Sequence, residues 1–415
     1  MLTFDIQATR DTLGARPTAQ LLYVLVHIAP PEQIRLSQMP LNVGLVIDRS
    51  TSMQGERLER VKAAAALLVE QLSTDDVLSV IAFSDRAEVT LPASRLRSKE
   101  AALARLRSIE AFGGTEIFQG LNAAMREMRK ADLAQHLNHI ILLTDGQTYG
   151  DENACLQLAQ QAADAGIGIS GFGLGAEWND QFLDRLVAPS GGQSVYVESA
   201  AQIVSFLQQR IHSLGAVYAH NLRLLASELP AGVRLQYGLK FKPFAQPLIS
   251  SPSGDVNLGT VEVRAPLVFV LELAIEPILA GNTLDIPFVF HADIPAEGIA
   301  NQAMVQRLSL RIVADPPPVS PSPALVEAVR VLNLYRLNEK AWQEIEAGQL
   351  ETATTRMQRL TTRLLESGYT QLAEQAQIET ERLATLGALS LDGRKRLRFG
   401  TRALLTKTLT LNHDD

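Results

Sequence analysis

The chain has 415 residues, of which 46% are hydrophobic and 20% are charged, a composition that is typical of globular proteins and excludes disordered and collagenous chains. Its 38 basic and 45 acidic side chains give a net charge of −7, which argues against a protein that binds nucleic acid or coats an anionic membrane. The single cysteine, Cys155, excludes an intramolecular disulfide and a zinc site built from several thiolates. No apolar run reaches the ~18 residues of a membrane span, and Met1–Arg10 has a strand pattern rather than that of a targeting peptide. We therefore expect a soluble cytoplasmic protein.

The length predicts roughly two to four domains at about 150 residues each, and the first strand signals lie at the N-terminus. Leu2–Ala8 and Leu21–Ile28 alternate apolar and polar residues, as half-buried strands do. Residues 1–37 therefore differ in character from the block that follows them.

Residues 38–214 alternate between short apolar runs and amphipathic helical patterns. The predicted strands are Leu41–Ile47, Val77–Phe83, His139–Leu143 and Gly166–Gly173. The predicted helices are Glu56–Leu72, Ile117–Leu133, Glu152–Ala165, Asn179–Ala188 and Ala200–His212. Such alternation predicts an α/β fold, a doubly wound and mostly parallel sheet with helices on both faces. Ligands of these sheets bind at the carboxyl ends of the strands.

Residues 215–314 contain strand patterns bounded by Pro, Gly and Asn turns. These strands are Asn221–Ala226, Val233–Tyr237, Leu267–Ala274, Thr283–His291 and Val305–Val313. They predict an antiparallel β-sandwich. Because the N-terminal strands have the same character, we expect residues 1–37 to complete this sandwich, with the α/β domain inserted in it. The alternative is an independent N-terminal hairpin packed on the α/β domain.

Beyond the sandwich, residues 315–323 contain five prolines and predict an extended linker. Residues 324–390 have three amphipathic stripes, which predict a helical unit of three helices. Residues 391–415 are predicted to be a basic tail, and the cations near Thr401 favour a regulatory or docking segment that phosphorylation would switch. These cations are Arg394, Lys395, Arg396, Arg398 and Arg402. The alternative is a solvated helix end or a strap on the acidic body.

Three short oxygen-bearing side chains, Asp48, Ser50 and Ser52, occupy alternate positions directly after the first buried strand. Thr115 lies in a glycine-rich loop before a predicted helix, and Asp145 directly follows another buried strand. We expect the five side chains to converge at the carboxyl edge of the sheet. Five short, mostly neutral oxygen ligands favour Mg²⁺ over Ca²⁺. The alternative, a serine-rich helix N-cap, accounts for the first three residues but not for the last two.

This pattern, D-x-S-x-S followed by a threonine and then an aspartate, resembles the metal-ion-dependent adhesion site of von Willebrand factor type A domains. The resemblance covers about residues 38–214, and Thr51 departs from it because many family members carry glycine at that position. It implies one Mg²⁺ or Mn²⁺ ion held by the five residues. It further implies that the carboxylates often act through water, which leaves the ion electrophilic and open to an Asp or Glu of a partner protein.

The expected function is non-enzymatic and metal-dependent protein recognition by a prokaryote-like adaptor or assembly factor. One alternative is a cell-surface adhesin of the same fold, which would need an N-terminal export signal. The other is a phosphotransferase or hydrolase that uses Asp48. Enzymes that form aspartyl phosphate usually have a second aspartate two residues on, where this chain has Ser50.

Overall fold

The computed structural model of the chain describes residues 1–32, 39–148, 150–214 and 216–408, without the side chains of residues 200, 201 and 405–408. Its strands are β1 (Thr3–Ala8), β2 (Thr12–Gly14), β3 (Gln20–Ala29), β4 (Leu41–Asp48), β5 (Val77–Phe83), β6 (Ala87–Arg95), β7 (Leu137–Thr144), β8 (Ile167–Leu174), β9 (Ser194–Val197), β10 (Val217–Leu224), β11 (Val233–Lys242), β12 (Gln246–Pro247), β13 (Val256–Glu262), β14 (Leu267–Ile275), β15 (Thr283–Ile294) and β16 (Ile299–Val313). Its α-helices are α1 (Glu56–Gln71), α2 (Lys99–Arg107), α3 (Ile117–Met128), α4 (Glu152–Asp164), α5 (Asp180–Val187), α6 (Ala200–Leu214), α7 (Pro323–Glu346), α8 (Leu350–Glu366), α9 (Thr370–Leu386) and α10 (Leu391–Thr408). Among the helices of these residues, none is long and apolar enough to cross a membrane.

The predicted α/β domain is confirmed, with a six-stranded sheet in the order β6-β5-β4-β7-β8-β9. All neighbouring strands are parallel except β5 and β6, which form an antiparallel edge that the sequence analysis missed. Every residue of β4, β5 and β7 is buried, because helices cover both faces. The core on one face includes residues of α1, α2 and α6, and the core on the other includes residues of α3, α4 and α5.

The order of the strands reverses at β4, which positions the candidate site. From β4 the chain passes through α1 to β5 on one side, and it later returns to β7 on the other side of β4. The loops after β4 and β7 therefore diverge to opposite faces and leave a crevice at the carboxyl edge of the sheet. Such a switch point is where doubly wound sheets bind their ligands.

The antiparallel sandwich into which this domain is inserted is also confirmed. Its sheets have the orders β1-β3-β14-β11-β12 and β13-β10-β15-β16-β2, so the N-terminal segment contributes strands to both. β3 pairs with β14 from Leu267 opposite Ile28 to Ile275 opposite Gln20. The side chains of Leu22 and Phe269 are fully buried in the core between the two sheets. The alternative of an independent N-terminal hairpin is therefore wrong.

The C-terminal region has four helices, so the prediction of three helices followed by a basic tail at 391–415 is wrong. The fourth helix, α10, covers most of that segment, and residues 409–415 lie outside the described residues. Thr401 is fully buried, and its hydroxyl donates to the carbonyl of Leu397 at 2.8 Å. A phosphorylation switch at Thr401 does not fit this position, which no kinase could reach while α10 is docked.

The cations of α10 are ordered because acidic side chains from distant elements meet them. Arg398 pairs with Asp180 of α5 and with Glu339 of α7, and Arg402 pairs with Asp184 of α5. The charges of residues 391–415 alone do not reveal these acidic partners, because the partners lie in α5 and α7. The helix is therefore a strap that joins the helical region to the α/β domain, which is the reading the sequence analysis held as the alternative.

Candidate metal centre

Four of the five predicted ligands lie at or just beyond the carboxyl ends of two neighbouring strands. Asp48 is the last residue of β4, and Asp145 directly follows β7, its neighbour in the sheet. Ser50 and Ser52 lie in the short connection to α1, which includes a turn of 3₁₀-helix at Thr51–Met53. This connection places the two serines over the crevice at the switch point.

Hydrogen bonds join four of the five side chains into one cluster. The hydroxyl oxygens of Ser50 and Ser52 are 2.9 Å apart, and the Ser52 hydroxyl donates to Oδ1 of Asp145 at 2.7 Å. Oδ1 of Asp48 accepts the backbone N–H of Ser50 at 2.8 Å, and Oδ2 accepts the hydroxyl of Thr144 at 2.6 Å. Ser52 is exposed whereas the other three ligands are buried, so the cluster opens to solvent on the side of Ser52.

Thr115, the fifth residue, lies against the loop that carries Asp145. A Cβ atom at Gly146 would be 3.1 Å from the Thr115 hydroxyl oxygen, so glycine allows the two loops to approach closely. Thr51 holds the neighbouring part of the Thr115 loop, because its backbone N–H and its hydroxyl both donate to the carbonyl of Gly113 at 3.0 Å. Where many family members have glycine, the hydroxyl of Thr51 thus adds a hydrogen bond between two loops of the site.

Burial raises the pKa of Asp48 to about 6, against the opposing effect of the hydrogen bonds from Thr144 and Ser50. The negative charge of Asp145 raises it further. Asp48 and Asp145 are the two carboxyl groups among the five predicted ligands, so a cation in the cluster would offset the repulsion between them. The charge pattern of the site therefore favours binding of a positive ion.

The oxygen atoms present fit a small divalent ion. Neighbouring ligands of an octahedral Mg²⁺ ion are ~3.0 Å apart when the Mg–O distance is ~2.1 Å. The O···O distances of 2.9 Å from Ser50 to Ser52 and 2.7 Å from Ser52 to Asp145 are close to this value. In the described part of the chain, no group of three or more His, Cys, Asp and Glu side chains is arranged to hold a metal; the candidate site differs from such groups because it combines two carboxylates with three hydroxyls.

One residue of the site, Arg57, was missed by the sequence analysis. It is the second residue of α1, and its Nη1 donates to Oδ2 of Asp145 at 2.6 Å. The available signal was a basic side chain in the first turn of a helix, where the helix dipole favours acidic ones. The other two charged residues of that turn, Glu56 and Glu59, follow the rule.

An exposed aromatic ring borders the site. Phe112 is 51% exposed, and its backbone N–H donates to the carbonyl of Arg49 at 2.8 Å. The guanidinium carbon of Arg49 lies 4.2 Å from the centre of the Phe112 ring, and Arg49 also pairs with Glu88 at 2.8 Å. An exposed aromatic residue of this kind is typical of protein-recognition surfaces.

Comparisons with known proteins agree with this architecture. Residues 42–209 match the model of the von Willebrand factor type A domain, and residues 323–407 match the Sll0103-like C-terminal alpha-helical domain, which includes α10. The chain is 30% identical over 338 residues to the Synechocystis protein sll0103, covering 77% of this chain and 78% of that protein.

Two solved structures share the fold over almost the whole chain. A von Willebrand factor type A protein from Catenulispora acidiphila superposes with a TM-score of 0.75 at 18% identity, covering 97% of this chain and 96% of that one. The ArnB paralog VWA2 from Sulfolobus acidocaldarius superposes with a TM-score of 0.58 at 16% identity, covering 98% of each chain. The chain therefore belongs to the family of von Willebrand factor type A proteins that carry the Sll0103-like C-terminal helical domain.

Proposed function

We propose that this protein is a non-enzymatic adaptor or assembly factor that recognises a partner protein through a divalent metal ion. Asp48, Ser50, Ser52, Thr115 and Asp145 would hold Mg²⁺ or Mn²⁺, and an Asp or Glu of the partner would complete the coordination. The von Willebrand factor type A family consists of protein-interaction and adhesion modules, which supports recognition as the role of the site.

The observation that carries the proposal is the hydrogen-bonded cluster from Ser50 through Ser52 to Asp145. It gathers hydroxyl and carboxylate oxygens of distant segments at the switch point. Three of the five groups are neutral hydroxyls, so a bound divalent ion would keep much of its positive charge. The ion would supply an electrophile for an oxygen of a partner's carboxylate.

The contacts of Asp48 support binding over catalysis by this residue. Each of its two oxygens accepts a hydrogen bond, one from the Ser50 N–H and one from the Thr144 hydroxyl. A nucleophilic carboxylate needs a free oxygen that faces its substrate. Asp48 is instead fully buried, which suits a carboxylate whose negative charge stabilises an ion bound above it.

Titration calorimetry with MgCl₂ and MnCl₂ tests the metal dependence. We expect saturable binding of one ion at millimolar or lower concentration. Ser50→Ala should weaken binding at least about tenfold, the effect expected when a ligand or its support is lost. Ser227→Ala is the matched control, because its exposed hydroxyl donates to Asp255 at 3.0 Å between strands of the sandwich and not to the cluster, and it should bind within about twofold of the unmodified chain.

A pull-down from the native host, with Mg²⁺ or with EDTA, tests the recognition. We expect a specific partner to be retained with Mg²⁺, to be lost with EDTA, and to be lost with the Ser50→Ala variant. Retention that is equal under all three conditions would contradict the proposed function.

A further inference from the structure

Arg57 is held by contacts on two sides although its side chain is half exposed. Its Nη1 donates to Oδ2 of Asp145, while Oδ1 of the same carboxylate accepts the Ser52 hydroxyl. Its Nη2 lies 3.6 Å from the point where a Cβ of Gly175 would be, so the guanidinium rests against the glycine backbone at the end of β8. The arginine side chain is 46% exposed, and that of Asp145 is fully buried.

The location of Arg57 also conflicts with the local helix rule. The N-terminus of a helix carries a partial positive charge, so a cation in the first turn of α1 is unfavourable there. Residues that break a local rule are expected where function requires them. The ion pair of Arg57 with Asp145 offsets the unfavourable interaction with the helix dipole. Asp145 is one of the two anionic ligands of the site.

We infer that Arg57 is a built-in counter-cation that sets the metal affinity of the site. This inference rests on the proposed function, because it assigns a role to Arg57 toward the same ion. The guanidinium neutralises the charge of Asp145 and repels a divalent ion held beside that carboxylate. The bare ion therefore binds weakly.

The same arrangement explains how binding of the partner would tighten the site. A partner's carboxylate that reaches the ion enters next to a half-exposed guanidinium, which is a planar, bidentate partner for carboxylates. Two cations, the metal and Arg57, would then lie beside three anions, Asp48, Asp145 and the incoming carboxylate. Arg57 thus makes the site prefer the ion together with an acidic partner over the ion alone.

Titration calorimetry with MnCl₂ alone tests this role on the full chain. Arg57→Gln removes the charge and keeps a polar side chain at this position, so its affinity for Mn²⁺ should rise about tenfold, or ~1.4 kcal/mol. Arg57→Lys keeps the charge and should stay within about threefold of the unmodified chain.

Arg60→Gln is the matched control for the removal of a charge from the same helix. Arg60 is 42% exposed and pairs with Glu56 instead of a ligand of the site, so the Mn²⁺ affinity of this variant should not change. The thermal midpoint of each variant without metal reports its folding, and added Mn²⁺ should raise the midpoint most for Arg57→Gln.

The outcomes separate this inference from the proposed function. If the unmodified chain binds Mn²⁺ and Arg57→Gln binds no more tightly, the inference is wrong and the proposed function stands. A rise in affinity that is equal for Arg57→Lys and Arg57→Gln would also overturn it, because charge would not be the cause. If neither the unmodified chain nor any variant binds Mn²⁺, both are wrong. Binding by Arg57→Gln alone would support the inference in its strongest form.

Discussion

The substitution Asp184→Asn should release α10 from the α/β domain. Asp184 is 3% exposed and accepts hydrogen bonds from Arg402 Nη1 at 3.0 Å and from Arg398 Nη2 at 3.0 Å. Gln246 also donates to it at 2.9 Å, from strand β12 of the sandwich. One carboxylate therefore joins the α/β domain, the sandwich and the helical region.

The stability lost on this substitution depends on the partners that Arg402 and Arg398 retain. Without the charge of Asp184, the guanidinium of Arg402, which is 3% exposed, retains the hydroxyls of Ser194 and Tyr335 as polar partners. Breaking a buried ion pair by removing one partner typically costs about 3–5 kcal/mol, because the other charge stays buried and uncompensated. Arg398 keeps its ion pairs with Asp180 and Glu339. We therefore expect the free energy that docks α10 to fall by about 3 kcal/mol, at the lower end of that range.

Amide hydrogen exchange of α10 is the appropriate assay, since a protein of several domains need not unfold in one step. Exchange in α10 should accelerate about 100-fold, the factor that corresponds to ~3 kcal/mol, while β4 and β7 stay protected. Glu198→Gln is the control, because its pair with Arg396 is about half exposed on both sides and should contribute about 0–1 kcal/mol. Protection of α10 that is equal in the two variants would refute the role given to the buried cluster.

Two further predictions concern pH and the N-terminal strands. Burial alone would raise the pKa of Asp184, but the guanidinium groups of Arg402 and Arg398 outweigh it and lower the pKa to about 2 from an ordinary value of 3.8. The resulting stabilisation is complete above about pH 4 and is lost as the pH falls from about 4 to about 2, so the protection of the α10 amides, relative to their intrinsic exchange rates at each pH, should fall in that window; unchanged protection would contradict it. Deleting residues 1–37 removes four fully buried side chains of β3, Leu22, Val24, Val26 and Ile28, each stabilising by about 1.5–3 kcal/mol. Circular dichroism should show the sandwich unfolded in this variant and an isolated 39–214 fragment folded, whereas a stable sandwich would refute the prediction.

The parts of the fold that the sequence predicted are those whose signals are local. β4, β5 and β7 are wholly buried and mostly apolar because both faces of the sheet are covered, and such runs are visible without any knowledge of the tertiary structure. The spacing of Asp48, Ser50 and Ser52 is likewise local, and the alternation of strands and helices was enough to place these residues at the carboxyl edge of the sheet.

The parts that were missed depend on contacts between distant segments. α10 was taken for a tail because its cations pair with Asp180, Asp184 and Glu339, which lie far away in the chain. β6 was missed because, as the edge strand of the sheet, it is half exposed and lacks an apolar run. Arg57 is an ordinary exposed residue of a helix until the fold brings Asp145 to it.

The most direct test of the central claim, one divalent ion held by five oxygen-bearing side chains, is anomalous diffraction from crystals grown with millimolar MnCl₂. The account predicts a single strong Mn²⁺ peak at the carboxyl edge of the central sheet, among the side-chain oxygens of Ser50, Ser52 and Thr115. It also predicts that the peak disappears in crystals of Ser50→Ala grown under the same conditions. A map without a peak at this position, or with an equal peak in Ser50→Ala, would contradict it.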